Sequence, residues 1–183
     1  VEEYGSDAVR FSLMMITAQG QDIFLNEEKF EIGRNFCNKL WNASRFMLGY
    51  LEGWKPEPGR DSQFAIRDSG LDLADKWILG RLREVEQTVE ENYGQYRFND
   101  IAGTLYNFVW EDYCSWYLEI KKQILSNPEA DAGAAYTSRY LLRRILLRIL
   151  QLLNPFIPYI SEEIWSIIRE KYSGDTDQYL ITS

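Results

Sequence analysis

Apolar residues return every three or four positions through nearly all of this chain, and the every-second-residue alternation of a half-buried strand is almost absent. That spacing lays apolar side chains along one stripe of a helix, and such stripes must be buried against one another. Ser6 and Asp7 open a first helix ending near Thr17, and Gln21 to Leu25 is a short extended stretch. Asn26, ahead of Glu27 and Glu28, caps a second helix that reaches about Leu51, with the acidic residues suiting the positive helix end. Residues 53 to 70, rich in Gly, Pro and Ser, form the clearest loop. A third helix runs from about Leu73 to Tyr93, closed by Gly94, and Asn99 caps a fourth that passes through Trp110, Trp116 and Tyr117 to about Leu125. The fifth occupies about Ala134 to Leu153, and Asn154-Pro155 with Pro158 breaks it, since proline lacks the amide hydrogen and crowds the preceding turn. A sixth starts at Ser161 with the capping signature Ser-x-Glu-Glu and reaches about Tyr172.

Long amphipathic helices with short connections, in a chain of 183 residues that is 45% hydrophobic and carries 6 Trp, 12 Tyr and 9 Phe, predict an all-α fold: an antiparallel helix bundle. No apolar run approaches the roughly 20 residues a membrane span needs, so no membrane partner is expected. With His at 0, a Ser-His-Asp triad, a Cys-His dyad and His-containing zinc sites are excluded. Cys37 and Cys114 stand far apart and read as small buried hydrophobes of a reducing compartment. No glycine-rich phosphate loop or nucleophile-base pair appears, and Glu111-Asp112, Glu119 and Glu162-Glu163 read as solvated faces or ion pairs. Catalytic residues and metal ligands are therefore none. The opening Val1-Glu2-Glu3-Tyr4 reads as the middle of a longer protein.

The net charge of -8 argues against unspecific nucleic-acid binding, but local distribution decides local potential. Between Glu31 and Glu52 there is no acidic residue, and Arg34, Lys39 and Arg45 supply the charge. At about 100° per residue, Arg34, Asn35, Asn38, Lys39, Asn42, Arg45 and Phe46 share an arc of roughly 140°. Ile32, Phe36, Cys37, Leu40, Trp41, Ala43, Met47, Leu48 and Leu51 mostly fill the remainder, as a core face. Long cations suit phosphates, amides suit base edges, and one Phe on a polar face can stack an unpaired base. A second acid-free island, Ala132 to Ser161, holds Arg139, Arg143, Arg144 and Arg148. Arg139 and Arg143 lie at one edge of the apolar stripe and Arg144 and Arg148 nearly opposite it, so the four form no single patch; snorkelling or pairing with neighbouring Glu is the expected role for at least two, with phosphate contact the alternative. Lys121 and Lys122 either extend the basic surface or favour a negative helix end.

The run Arg34-Asn35-Phe36-Cys37-Asn38-Lys39-Leu40-Trp41-Asn42-Ala43-Ser44-Arg45-Phe46 closely resembles the anticodon-binding helix of valyl-tRNA synthetases, which are class I aminoacyl-tRNA synthetases. Tyr4 to Phe11, Gln19 to Ile23, Asp75 to Leu79, Trp110 to Glu119 and Asn154 to Trp165 continue the resemblance. It implies a connecting segment over 1–25, a helical anticodon-binding domain over 26–172, and over 173–183 the start of a linker to a C-terminal arm. It also implies that Lys39, Arg45 and Phe46 contact the anticodon, that Leu118 packs against a base from the neighbouring helix, and that Arg34, Asn35, Asn38 and Asn42 are weaker contacts. Glu28, next to Lys29, stands where some relatives carry a basic residue. The partners implied are the anticodon stem-loop of valine tRNA and the rest of a parent synthetase in cis, in a cytoplasmic monomer. ATP-dependent ligase chemistry, with ATP and Mg as cofactors, would lie elsewhere in the parent. The signatures His-Ile-Gly-His and Lys-Met-Ser-Lys-Ser are missing, and no cofactor is expected within this stretch. Two alternatives stay open: a bundle for protein-protein or interdomain contact, favoured by the abundant Trp and Tyr, and the equivalent domain of an isoleucyl or leucyl relative.

Overall fold

The computed structural model describes residues 3–17, 27–55 and 70–172, and among these no strand occurs. The helices are α1 (Ser6–Ile16), α2 (Phe30–Tyr50) behind a 3-10 turn (Glu27–Lys29), α3 (Leu73–Gly94), α4 (Phe98–Asn107), α5 (Leu118–Leu125), α6 (Ala132–Leu153) and α7 (Pro158–Tyr172). A π-helical segment, Phe108–Tyr117, joins α4 to α5 in one continuous rod. The all-α expectation is met. The extended stretch near residue 23, the cap at Asn26, most of the 53–70 loop and the segment 173–183 lie outside the described residues.

Helices α3, the α4–α5 rod and α6 alternate in direction. Arg81 of α3 bonds Asp112 while Asp75 bonds Tyr117, and Tyr113 of the rod donates to the Leu142 carbonyl at 3.0 Å. Consequently α2 and the rod run the same way, and their contacts climb in step: Phe36 stacks on Tyr106, Lys39 lies over Trp110, Phe46 meets Lys122, and Tyr50 meets Ser126. Phe11, Phe36, Leu40, Tyr113, Ile145 and Ile157 lie in one shared core. Although α1 falls in the segment expected to be a connector, its Phe11 is sealed in that core and stacks on Phe36 at 4.2 Å.

Several helix ends differ from the sequence reading, each for a local reason. α4 begins at Phe98, not behind Asn99, whose amide instead bonds the adjacent Asp100. α7 begins at Pro158, three residues ahead of Ser161. Proline loses nothing in a first turn, where amides are unpaired anyway, and Asp7 of α1 takes the amides of Ile160 (2.7 Å) and Tyr159 (3.4 Å) in place of a local cap. Ser161 is buried and donates back to the Ile157 carbonyl.

The π segment has a readable cause. Buried positions there recur at a spacing of five, with Phe108, Tyr113 and Leu118 on one line and Val109 and Cys114 on another. The wider winding, with hydrogen bonds five residues apart, brings both lines to the core together. Tyr113 and Tyr117 fill it, and burial drives both hydroxyls well above the usual tyrosine value, helped at Tyr117 by the negative charge of Asp75.

Candidate nucleic-acid interface

The polar arc read from α2 is one surface: Asn35, Asn38, Asn42, Arg45 and Phe46 are exposed, and Arg34 and Lys39 half-buried. Phe36, Leu40, Ala43, Met47 and Leu48 are buried beneath it. Ile32, expected on the core face, is exposed, and Cys37 and Trp41 are half-buried. The last two line a shallow cavity of about 490 Å³ with Tyr4, Asn38 and Tyr159.

The cations of the arc are individually positioned. Arg34 pairs with Glu31 at 2.9 Å and its guanidinium lies 5.5 Å from the Tyr4 ring centre. Lys39 Nζ lies 5.2 Å from the Trp110 ring centre, which holds its charge between α2 and the rod. Phe46 remains 37% exposed, with one edge set by Tyr50 in a T-shaped contact at 5.1 Å. Tyr50 is itself fixed by its hydroxyl contact with Ser126 Oγ at 2.9 Å and by Arg139, which donates to its carbonyl. From the rod, Lys122 places its ammonium 5.3 Å from the Phe46 ring centre while pairing with Glu119 at 3.3 Å. An aromatic ring beside a cation, open to solvent, offers stacking and charge at one point.

Leu118 does not share this surface. It is 4% exposed, because five residues on from Tyr113 the π winding returns it to the core, so it has no face to offer a base. The outward apolar residues of that stretch are Trp116, which the sequence reading counted only as part of the fourth helix, and Ile120, which it did not single out. The signal for them was present in the five-residue spacing of the apolar positions, which an α-helical wheel misreads.

Lys121 and Lys122, adjacent in sequence, separate completely. Lys121 is 1% exposed and bonds Asp72 at 2.6 Å and Asp75 at 2.7 Å, whereas Lys122 joins the surface. The second basic island is structural: Arg139 holds α2, Arg143 is buried, Arg144 is near the Tyr140 hydroxyl, and Arg148 pairs with Glu86 of α3. Of the acidic positions, Asp112, Glu119 and Glu162 are engaged as well. Asp112 receives Arg81, a bond that raises the guanidinium pKa further, and Glu162 receives Asn154. Neither thiol is poised for chemistry: burial pushes Cys37 up to about 12, with Asp7 adding to it, and burial pushes Cys114 to about 12 against the lowering charge of Lys39. Among the described residues no helix is long and apolar enough to cross a membrane.

Residues 75–181 match the family described as the anticodon-binding domain of tRNA ligase. The chain belongs to that family. It is 45% identical over 170 residues to the valine–tRNA ligase of Geobacter sulfurreducens, an alignment covering 92% of this chain and 18% of that protein. With the valine–tRNA ligase of Fusobacterium nucleatum it shares 40% over 179 residues, covering 96% of this chain and 19% of the relative. The chain thus spans less than a fifth of the length of these relatives. Among solved structures it is similar to apo methionyl-tRNA synthetase of Mycobacterium tuberculosis (TM-score 0.73, 19% identity, 94% of this chain and 34% of that one). It is also similar to the LeuRS of Agrobacterium radiobacter K84 in its ternary complex with tRNA and LeuAMS (TM-score 0.62, 21% identity, 97% and 19%). At those identities the likeness establishes the bundle fold alone.

Proposed function

We propose that this domain receives the anticodon stem-loop of valine tRNA on the exposed side of α2, as part of a larger cytoplasmic, monomeric valine–tRNA ligase. The ATP- and Mg-dependent attachment of valine would take place in other parts of that enzyme, with this domain contributing binding and no catalytic group. The observation that carries the reading is the acid-free face of α2, where Asn35, Asn38, Asn42 and Arg45 lead up to a Phe46 ring flanked by the Lys122 ammonium. Phosphate contacts by Arg45, Lys39 and Lys122 would set register, and the asparagine amides and the Phe46 ring would read unpaired bases, since single-stranded loops are where RNA sequence is accessible. Family membership and the relatives' names support the choice of valine.

Fluorescence anisotropy with a labelled valine anticodon stem-loop, and with the same stem carrying a scrambled loop, tests the proposal. Preference for the valine loop is expected, and Phe46→Ala should weaken binding by about 1–3 kcal/mol, the worth of one base-aromatic stack. Equal affinity for both loops would overturn the assignment. A second reading, contact with another protein surface in cis, draws on the exposed Tyr93 and Tyr96 where α3 turns into α4, at the opposite end of the bundle from Phe46. A stable oligomer in light scattering that is lost in Tyr93→Ser, with RNA binding on α2 absent, would favour it.

A further inference from the structure

The π segment presents an aromatic that neither the α2 face nor the core uses. Trp116 is 61% exposed at the end of a winding whose neighbours Tyr113, Cys114 and Tyr117 are buried. Each residue of a π-helix turns through a smaller angle than in an α-helix, so Trp116, three residues past Tyr113, swings away from the core line and does not lie beside it. It borders an open cavity of about 550 Å³ with Ile120, Lys122, Gln123 and Glu119. Lys122 joins this cavity to the α2 face, since the same ammonium lies beside the Phe46 ring. Ser126, also on the cavity wall, is held by Tyr50, the residue that sets the edge of Phe46.

We infer that Trp116 is a second stacking platform for an unpaired base of the RNA loop bound on α2. Ile120 would flank the base, Lys122 would face the phosphate linking it to the base on Phe46, and the Gln123 amide would be available to a base edge. This rests on the function proposed above and extends it from one helix to two. The chemistry that selects RNA over a protein surface is the shared cation. One ammonium between two aromatic platforms suits a phosphodiester joining two stacked bases, and Glu119, the acid beside it, is paired to that same lysine.

The experiment uses the chain with a series of valine anticodon stem-loops in which 2-aminopurine occupies successive loop positions, its fluorescence being quenched on stacking. One position should be quenched in a manner lost in Trp116→Ala and kept in Trp116→Tyr, while a different position depends on Phe46. Affinity should fall roughly 5- to 150-fold in Trp116→Ala, with the thermal transition unmoved because the ring is largely outside the core. If wild-type protein and Phe46→Ala behave as proposed while Trp116→Ala changes neither quenching nor affinity, the second platform is refuted alone. If no loop binds preferentially to wild type, both proposals fall. Self-association that disappears in Trp116→Ala while RNA binding persists unchanged would make the residue a protein contact and overturn its role in RNA binding.

Discussion

At Gly33 the crossing of α1 over α2 leaves no room for a side chain: a Cβ there would sit 2.1 Å from the Ala8 carbonyl oxygen and 2.5 Å from Ser12 Oγ. The approach is used, since the Gly33 amide donates to Ser12 Oγ at 3.0 Å. Gly49, in the same helix, has nothing within 4 Å of the place a methyl group would take, which makes the two glycines a controlled pair. In urea unfolding Gly33→Ala should destabilise by about 1–3 kcal/mol through overpacking, whereas Gly49→Ala should stabilise by about 0.5–1 kcal/mol through reduced backbone freedom. Equal effects would mean that helix propensity alone governs both sites. Exposure on α2 was largely readable from sequence, because an α-helical wheel puts Arg34, Asn35, Asn38, Lys39, Asn42, Arg45 and Phe46 on one face, although it also put the exposed Ile32 with the core. The resemblance put Leu118 against a base, whereas the π winding buries Leu118 and leaves Trp116 exposed.

Between elements, a buried polar tie joins the first turn of α3 to α5. Asp72 and Asp75 cap α3 reciprocally, each side chain accepting from the other's backbone amide, and both carboxylates also receive Lys121, with the Tyr117 hydroxyl donating to Asp75 at 2.7 Å. Sequence could show the cap, in Asp72 ahead of Asp75, but not the lysine 49 positions away that reads as one of a surface pair. Lys121→Met leaves the buried Asp75 without its cation and should cost about 3–5 kcal/mol in urea unfolding. A loss under 1 kcal/mol would show that Tyr117 and the backbone amide suffice. Burial acts to raise the Asp72 carboxyl, but the Lys121 bond, the Asp75 amide and the lysine charge together outweigh it and hold the pKa below the usual value. A carboxyl lowered on folding stabilises the protein above its unfolded pKa, about 4, and loses that contribution as pH falls through the lower folded value. Melting temperature should therefore drop between pH 5 and pH 2.5, and the drop should be shallower in Asp72→Asn.

Over the whole molecule the helix period dictated the bundle, because stripes at three- and four-residue spacing have no other way to be buried. The parallel course of α2 and the α4–α5 rod, which puts Lys122 beside Phe46, follows only from the order of the turns and was not legible locally. Charge obeys the same division between total and placement. A chain of net charge -8 repels a polyanion at long range, so binding must come from the few cations that reach the RNA. Of those near α2, Arg34 is paired with Glu31 at 2.9 Å and Lys122 more loosely with Glu119 at 3.3 Å, so Lys39 and Arg45, joined by Lys122 where a phosphate displaces Glu119, meet phosphates on the proposed surface. About two to three neutralised phosphates on a single-stranded loop predict a slope of log K against log salt of about -1.5 to -2. Lys122→Ala should make the slope shallower by about 0.7, one phosphate's share, without unfolding the protein, since this lysine lies on the surface. A slope steeper than about -5 would require a far larger basic footprint and would place the RNA somewhere other than the α2 face.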